Sequence, residues 1–354
     1  MGAIVLLLCF NAGCTSVAYY GQATRGHLSI LAQRQSLEDV ITDSATPDAV
    51  KEKLKLVREI RKFASDSLLL PENNSYQSYV DLKRRYVVWN VFAAPALSLQ
   101  PIESCFVIVG CLSYRGYYAK EDAEAFAEQL RQDGHDVYLG GVAAYSTLGW
   151  FDDPVLNTML YWDDRRLARL IFHELTHQLL YVKDDAKFNE SFATSFAEIG
   201  LQRWLINSSA AQTEDVNELL RKDKAREIDF IEILQHTQHR LKDIYASSSP
   251  SEDKFRDKQA AFAALLVDYE QFKQRWNGYA GYDDWMTKDL NNAKIASVAT
   301  YHSYDDAFQH ILNNVDNDIA RFLNAVRAIA ALDQDARHRC LRELTANKDY
   351  QCGT

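Results

Sequence analysis

Apolar residues recur at spacings of three and four along the N-terminal part of the chain, with charged residues between them. This is the periodicity of amphipathic helices, and it predicts helices across residues 22–69. Thr46 and Pro47 before Asp48 mark a helix start inside this region, because proline is favoured at the first helical position. The same pattern predicts further helices over residues 190–206, 214–245 and 253–276, and again up to Leu341.

The pattern changes between residues 86 and 118, where β-branched and aromatic residues predominate and predict short strands. A helix is predicted over residues 120–133, closed by Gly134. The predicted strands include residues 106–109, 136–139 and 142–147. We therefore expect an α+β fold that is predominantly helical, with a small sheet.

Composition and charge indicate a globular protein and argue against one class of partner. Of the 354 residues, 47% are hydrophobic and 25% are charged, which is ordinary for a globular protein. The length suits one large domain or two modest ones. A net charge of −10 argues against a nucleic-acid partner, because such a protein would present a basic face.

The first residues have the pattern of an export signal. Residues 3–10 form an apolar run that is too short to span a bilayer but long enough for the core of a signal peptide. Small residues then lead to Cys14, as in the lipobox of bacterial lipoproteins, where the cysteine is acylated. Asn11 stands where leucine is preferred, and a cleaved secretory signal is the alternative. With Thr15 after the cysteine, we expect a signal peptide over residues 1–13 and an outer-membrane lipoprotein of the cell envelope that faces the periplasm.

Export would place the remaining cysteines in an oxidising compartment, where disulfides form. Of the six cysteines, two belong to the export segment. Short loops favour pairing Cys105 with Cys111 and Cys340 with Cys352, although four cysteines allow three connectivities. The sequence contains no C-x-x-C pair, so we expect disulfides at these positions and no zinc binding.

The motif H-E-x-x-H occurs at His173, Glu174 and His177. Positions four apart lie one above the other on a helix, so both imidazoles can bind one metal ion, with Glu174 as the general base. A chance match on an ordinary helix is the alternative. Apolar residues around the motif indicate a buried helix, where unpaired imidazoles would be costly, and this favours a Zn²⁺ site.

Further residues complete the predicted site. A catalytic zinc takes three protein ligands, and we predict Glu190 as the third, in the sequence N-E-x-x-A. Glu198 is predicted to orient a ligand histidine. Tyr301 or His302 is predicted to donate a hydrogen bond to the oxyanion, the alternative being an ordinary half-buried side chain. A strand near residues 145–148 would pair with an extended substrate, or would be an ordinary sheet strand.

Together these segments resemble a bacterial lipoprotein family of predicted zinc aminopeptidases, over nearly the whole chain and in the same order. The segments that carry the resemblance are residues 19–22, 104–111, 114–118, 173–177, 189–193, 291–293 and 301–302. The metal motif is also similar to that of the thermolysin-like gluzincins, in which two histidines and a glutamate bind zinc. The resemblance implies a zincin-like core, which we place at residues 86–210, between helical regions at residues 14–85 and 211–354.

The expected function is zinc-dependent hydrolysis of peptides by an aminopeptidase attached to the membrane through an N-terminal lipid. One alternative is an endoprotease that acts on envelope proteins or cell-wall peptides. Another is an envelope scaffold or binding lipoprotein with a structural zinc site. A structural site would have a fourth protein ligand, whereas an open position favours catalysis. The sequence identifies no protein partner.

Overall fold

The computed structural model describes residues 19–106, 110–207, 216–299, 304–346 and 352. Within these ranges the chain is predominantly helical, with short strands in three small sheets. The helices are α1 (19–32), α2 (Leu37–Thr42), α3 (Asp48–Leu68), α4 (Lys120–Gln132), α5 (Asp164–Leu179), α6 (Ala186–Asn207), α7 (Val216–Ala246), α8 (Ser251–Arg275), α9 (Asp283–Thr287), α10 (Asn292–Ala299), α11 (Asp305–Asn314), α12 (Ile319–Ala330) and α13 (Gln334–Ala346). The strands are β1 (Gln35–Ser36), β2 (Ser78–Val80), β3 (Val88–Pro95), β4 (Ser104–Phe106), β5 (Gly110–Leu112), β6 (Tyr114–Tyr117), β7 (His135–Val142) and β8 (Val155–Leu156). Among the described helices, none combines the length and apolarity that crossing a bilayer requires.

An antiparallel sheet with the strand order β6-β3-β7 has helices on both faces. On β3, Asn90 lies opposite Gly116 of β6 and Gly140 of β7. Because successive side chains point to opposite faces, one set packs against α4 and the other, which includes Phe92, packs against Ala293 of α10. The apolar contact between the sheet and α4 consists of Val91, Ala93, Tyr117 and Val137 from the strands and Ala123 and Ala127 from the helix.

A second small sheet fixes the segment that leads into α5. Its middle strand, β2, runs antiparallel to β1 and parallel to β8, with Tyr79 opposite Val155. The chain before β2 is held by Arg61 of α3, whose buried guanidinium donates to the carbonyls of Ser75 at 3.1 Å and Pro71 at 2.6 Å. The Ser75 hydroxyl in turn accepts from the Asp153 N–H at 3.2 Å, which joins this segment to the residues just before β8.

The main hydrophobic core joins α3, α5 and α6 with α11, α12 and α13. Aromatic rings at spacings of four along α6 pack in series against the C-terminal helices. A Cβ at Gly200 would lie 2.7 Å from the Leu68 side chain and 3.0 Å from the Phe172 ring, so a larger residue would displace these side chains, and glycine allows the helices to pack closely. The buried residues that define this packing are Leu167, Ile171, Leu175, Phe188, Phe192, Phe196, Phe308 and Phe322.

A separate apolar cluster lies between α7 and α8, with α9 and α10 packed on it. Lys258 of α8 connects this cluster to the sheet, since its buried ammonium lies 2.6 Å from the Asp136 carboxylate on β7. The helices predicted for this part of the chain are therefore amphipathic, and one face of each is buried, as their periodicity indicates.

The predicted fold class, α+β and predominantly helical, is confirmed. The helix predicted over residues 120–133 is α4, and Gly134 follows it with a φ of +84°, a conformation that favours glycine. Of the strand predicted over residues 106–109, Phe106 ends β4, and the rest lies outside the described residues.

The strand predicted over residues 142–147 is wrong. β7 ends at Val142, and the chain then turns, with φ values of +56° at Leu148 and +80° at Gly149. The Thr147 N–H donates to the Asp153 carboxylate at 3.0 Å instead of pairing with a strand. Alternating apolar residues could not reveal this side-chain contact, so residues 145–148 do not form the expected substrate-pairing strand.

Both predicted disulfides are present. Cys105 and Cys111 are directly opposite each other on β4 and β5. Cys340 of α13 is bonded to Cys352. The first disulfide joins the two paired strands, and the second ties Cys352 to the last helix.

Candidate metal centre and active site

Helix α5 presents the two motif histidines on one side. The helix begins after Asp163, whose side chain accepts a hydrogen bond from the Arg166 N–H at 3.0 Å and so caps the first turn. The apolar face of the helix is buried in the main core, which fixes its rotation. His173 and His177 consequently lie side by side, with ring centroids 4.7 Å apart.

The third residue of the cluster comes from α6, and the loop before that helix sets its position. Asp185 caps the helix by accepting from the Phe188 N–H at 3.0 Å. The Asn189 side chain bonds both backbone groups of Val182, accepting from the N–H at 2.8 Å and donating to the carbonyl at 2.7 Å. These bonds fix the first turn of α6, and Glu190 faces the two histidines from it.

The three side chains converge on one point. The Nε2 atoms of His173 and His177 are 3.1 Å apart, and Glu190 Oε2 lies 3.4 Å from the first and 3.7 Å from the second. A tetrahedral zinc ion with ligands at about 2.1 Å separates any two of them by about 3.4 Å. The nitrogen and oxygen donors and their spacing therefore fit one zinc ion. Among the described residues, this cluster has three candidate ligands.

The electrostatics keep Glu190 ionised. Burial alone would raise the pKa of its carboxyl, but the imidazoles of His177 and His173 outweigh burial, and the net pKa lies well below the usual range. An ionised carboxylate beside two imidazoles is the form in which these side chains bind a metal cation.

Glu174 has a different environment, although it is next to His173 in the sequence. Burial raises the pKa of its carboxyl to about 7; the His173 imidazole opposes this shift, and the carboxylates of Glu190 and Asp153 add to it. A carboxyl group whose pKa lies near neutral pH can both accept a proton and return it. The site thus combines a candidate metal centre with a candidate general base.

A family model described as "Putative aminopeptidase" matches residues 18–341. The chain belongs to this family. No curated protein and no solved structure matches the chain. Membership of this aminopeptidase family supports a peptidase function in general terms, and the matched region contains the histidines, Glu174 and Glu190.

In this member of the aminopeptidase family, the structure brings His173, Glu174, His177 and Glu190 together, as their spacing predicts. Tyr301 and His302, predicted to stabilise the oxyanion, lie outside the described residues. The same holds for Cys14, the predicted lipid attachment site.

Glu198 has a different partner from the one predicted. Its Oε2 lies 2.9 Å from a guanidinium nitrogen of Arg169 on α5. Eight residues rotate the direction of a helical side chain by about 80°, so Glu198 does not share the direction of Glu190. The expected role in orienting a ligand histidine is corrected accordingly: Glu198 joins α6 to α5 by an ion pair.

Two tyrosines near the cluster were not predicted. The ring of Tyr181 lies 6.4 Å from that of His177; burial raises its pKa to about 12, and the Glu190 carboxylate adds to this shift. Burial also raises the pKa of Tyr114 on β6, with Glu190 again contributing. The spacing of four between His177 and Tyr181 was a usable signal in the sequence, whereas only the tertiary fold brings Tyr114 near Glu190.

The C-terminal helix α13 holds the loop that positions Glu190. Arg337 Nε donates to Asp185 Oδ2 at 2.8 Å, and His338 Nε2 lies 2.8 and 2.9 Å from the two oxygens of the same carboxylate. The Tyr304 hydroxyl pairs with His338 Nδ1 at 2.9 Å. Asp185 and Arg337 are 3% and 4% exposed, so this ion pair is buried.

Replacing Arg337 with methionine should lower the free energy of unfolding by about 3 kcal/mol, because it leaves the Asp185 carboxylate buried without its guanidinium partner. Urea denaturation of the purified protein measures this change. The matched control is Arg339→Met on the exposed side of the same helix, which should change stability by no more than about 0.5 kcal/mol. Equal stabilities of the two variants would contradict a structural role for the buried ion pair.

Proposed function

We propose that this chain is a zinc-dependent aminopeptidase that hydrolyses peptides in the bacterial cell envelope. The observation that carries the proposal is the convergence of His173, His177 and Glu190 at the spacing of zinc ligands, with Glu174 beside them. Family membership supports the peptidase part of the proposal.

In the proposed reaction, different residues bind the metal and transfer the proton. His173, His177 and Glu190 would hold Zn²⁺, which when bound acts as a Lewis acid and lowers the pKa of water toward neutrality. Glu174 accepts a proton at its carboxylate as water attacks the scissile carbonyl. It then returns that proton to the leaving amine, which completes one turnover.

Tyrosine hydroxyls can assist by donating a hydrogen bond to the oxygen of the attacked carbonyl. Tyr181 and Tyr114 are candidates because both are near Glu190. Tyr301 and His302 remain predictions for the same role. The three ligands counted among the described residues favour a catalytic site over a structural one, which would be closed by a fourth protein ligand.

We place this activity in an exported lipoprotein, acylated at Cys14 and facing the periplasm from the outer membrane. The two disulfides, Cys105–Cys111 and Cys340–Cys352, support an oxidising compartment. Incorporation of a labelled fatty acid into the wild type but not into a Cys14→Ala variant would test the lipid anchor.

Removal of the metal tests the activity. Zinc-loaded protein should cleave members of a mixed peptide library, and dialysis against 1,10-phenanthroline should reduce cleavage to background. Zinc added back at one equivalent should restore it, because the three ligands remain in place. Mass spectrometry of the library identifies the products. Cleavage that persists at the same rate after the metal is removed would refute zinc dependence.

A further inference from the structure

A second buried polar cluster lies next to Glu174 and has no part in binding the metal. Its centre is Asp153, which is 2% exposed. Asp153 Oδ2 accepts hydrogen bonds from the Thr147 N–H at 3.0 Å and from Gln178 Nε2 at 3.2 Å. Asp153 Oδ1 is buried and has no hydrogen-bond partner among the described residues. An unsatisfied buried oxygen is costly, and the unused acceptor indicates a position for a ligand that donates hydrogen bonds.

Tyr76 supplies a second unsatisfied group in the same place. Its backbone N–H donates to the Asp153 carbonyl at 2.6 Å, so the two residues are adjacent. The side chain is 1% exposed, and its hydroxyl is buried without a partner. Burial raises the pKa of this hydroxyl, and the carboxylates of Glu174 and Asp153 add to the shift. Tyr76 therefore lies close to both acids.

The cluster is short of positive charge. Burial raises the pKa of Asp153 to about 6, backbone and side-chain hydrogen bonds from Thr147 and Gln178 oppose this shift, and the Asp152 carboxylate adds to it. Among the described residues, no lysine or arginine forms an ion pair with Asp153 or Glu174. The charge of Arg61 opposes the rise in the pKa of Tyr76, but its guanidinium donates to backbone carbonyls. His27 is nearby through Tyr145, whose hydroxyl lies 2.8 Å from its Nδ1, but burial lowers the pKa of this imidazole. A positively charged ligand would compensate the acids.

Aromatic side chains close one side of this cluster. The ring of His27 on α1 lies 4.7 Å from that of Phe151, and the rings of Tyr118 and Tyr145 are 5.7 Å apart. The loop that carries Asp153 reaches the surface, where Trp150 is 70% exposed. Helix α1 therefore packs against the loop that carries the acid.

Gln178 links Asp153 to the helix that carries the general base. Gln178, which bonds Asp153, lies one helical turn after Glu174, or about 5.4 Å along the helix axis. In a peptide cleaved after its first residue, the α-nitrogen is two bonds and about 2.5 Å from the scissile carbonyl carbon. Through Gln178, the Asp153 carboxylate is connected to the helical turn that follows the general base.

We infer that Asp153 and Tyr76 bind the α-ammonium group of the substrate's first residue, which limits cleavage to the N-terminal peptide bond. A primary ammonium has three N–H donors, and the unsatisfied Asp153 oxygen and Tyr76 hydroxyl can accept two of them. This inference rests on the proposed peptidase function, and it distinguishes an aminopeptidase from an endoprotease.

Binding to metal-free protein tests the inference without any turnover. Isothermal titration calorimetry should show that trialanine binds the wild type about 10- to 100-fold more tightly than N-acetyl-trialanine, as expected for a hydrogen-bonded ion pair. Asp153→Asn should abolish this preference, since its amide would place an N–H donor where the ammonium needs an acceptor. The matched control Asp152→Asn removes the neighbouring carboxylate and should keep the preference.

A second variant tests the inference independently, in case Asp153→Asn does not fold. Tyr76→Phe removes a hydroxyl that has no partner and leaves the packing intact, and it should reduce the preference about three- to tenfold. Equal binding of the two peptides by the wild type, or an undiminished preference in both variants, would overturn the inference. Failure of the proposed function is distinguishable, because zinc-loaded wild type would then bind trialanine preferentially without hydrolysing it.

Discussion

Replacing Glu174 with glutamine should lower kcat by about 10²- to 10⁴-fold, the usual contribution of a general base, while zinc remains bound. Glutamine has the size and shape of glutamate, so the buried position stays filled, but its amide cannot accept the proton from water. The carboxyl of Glu174 is suited to this role because burial raises its pKa to about 7. Steady-state kinetics on a cleaved peptide gives kcat, and elemental analysis gives the zinc content.

The matched control for this variant is Glu198→Gln. It makes the same chemical change on α6, at a carboxylate that is paired with Arg169, and it should leave kcat unchanged. If Glu174→Gln hydrolyses peptides at the wild-type rate with zinc bound, Glu174 is not the base. If it loses zinc as well, the residue acts on the metal site rather than on the proton.

Replacing His173 with alanine should weaken zinc binding by more than about 100-fold. Removing a residue that only supports a ligand weakens metal affinity about 10- to 100-fold. Removing a ligand itself weakens the affinity further. His177 and Glu190 would remain, 3.7 Å apart, and two donors hold a zinc ion poorly. Competition against a chromophoric chelator measures the affinity, and hydrolysis should fall to background at the same time.

The exposed histidine His239 on α7 provides the control. His239→Ala should keep one zinc per chain and full activity, because the removed imidazole lies on a solvated helix face. The thermal midpoint provides an independent readout, since zinc stabilises the folded state only where it binds. A zinc-induced rise in midpoint that is equal in His173→Ala and the wild type would exclude His173 as a ligand.

Sequence reasoning succeeded where the relevant contacts are local. The spacing of four between His173 and His177 places both on one side of any helix, and the apolar residues around them predict that this helix is buried. Glu190 follows within one turn of the next helix, so a short loop can return it to the histidines. Both disulfides likewise join cysteines that are close in the sequence.

The same reasoning failed where a polar side chain, rather than apolar periodicity, decided the local structure or the contact. The strand predicted over residues 142–147 does not form, because Thr147 bonds Asp153 across a turn. Glu198 was assigned to the metal site, but Arg169 binds it. Neither partner follows from local periodicity, because hydrogen bonds and ion pairs depend on which surfaces the fold brings together.

The sequence by itself determined the predominantly helical α+β class, the helix with the H-E-x-x-H residues, and the donors that suit one zinc ion, since all of these depend on short-range periodicity and residue chemistry. Only the tertiary structure decided which of the many acids lies beside Glu174. Asp153 meets Tyr76 through a hydrogen bond between residues far apart in the chain, and their unsatisfied atoms become visible only when burial is known. Burial and long-range pairing are properties of the packed chain, and a one-dimensional pattern does not contain them.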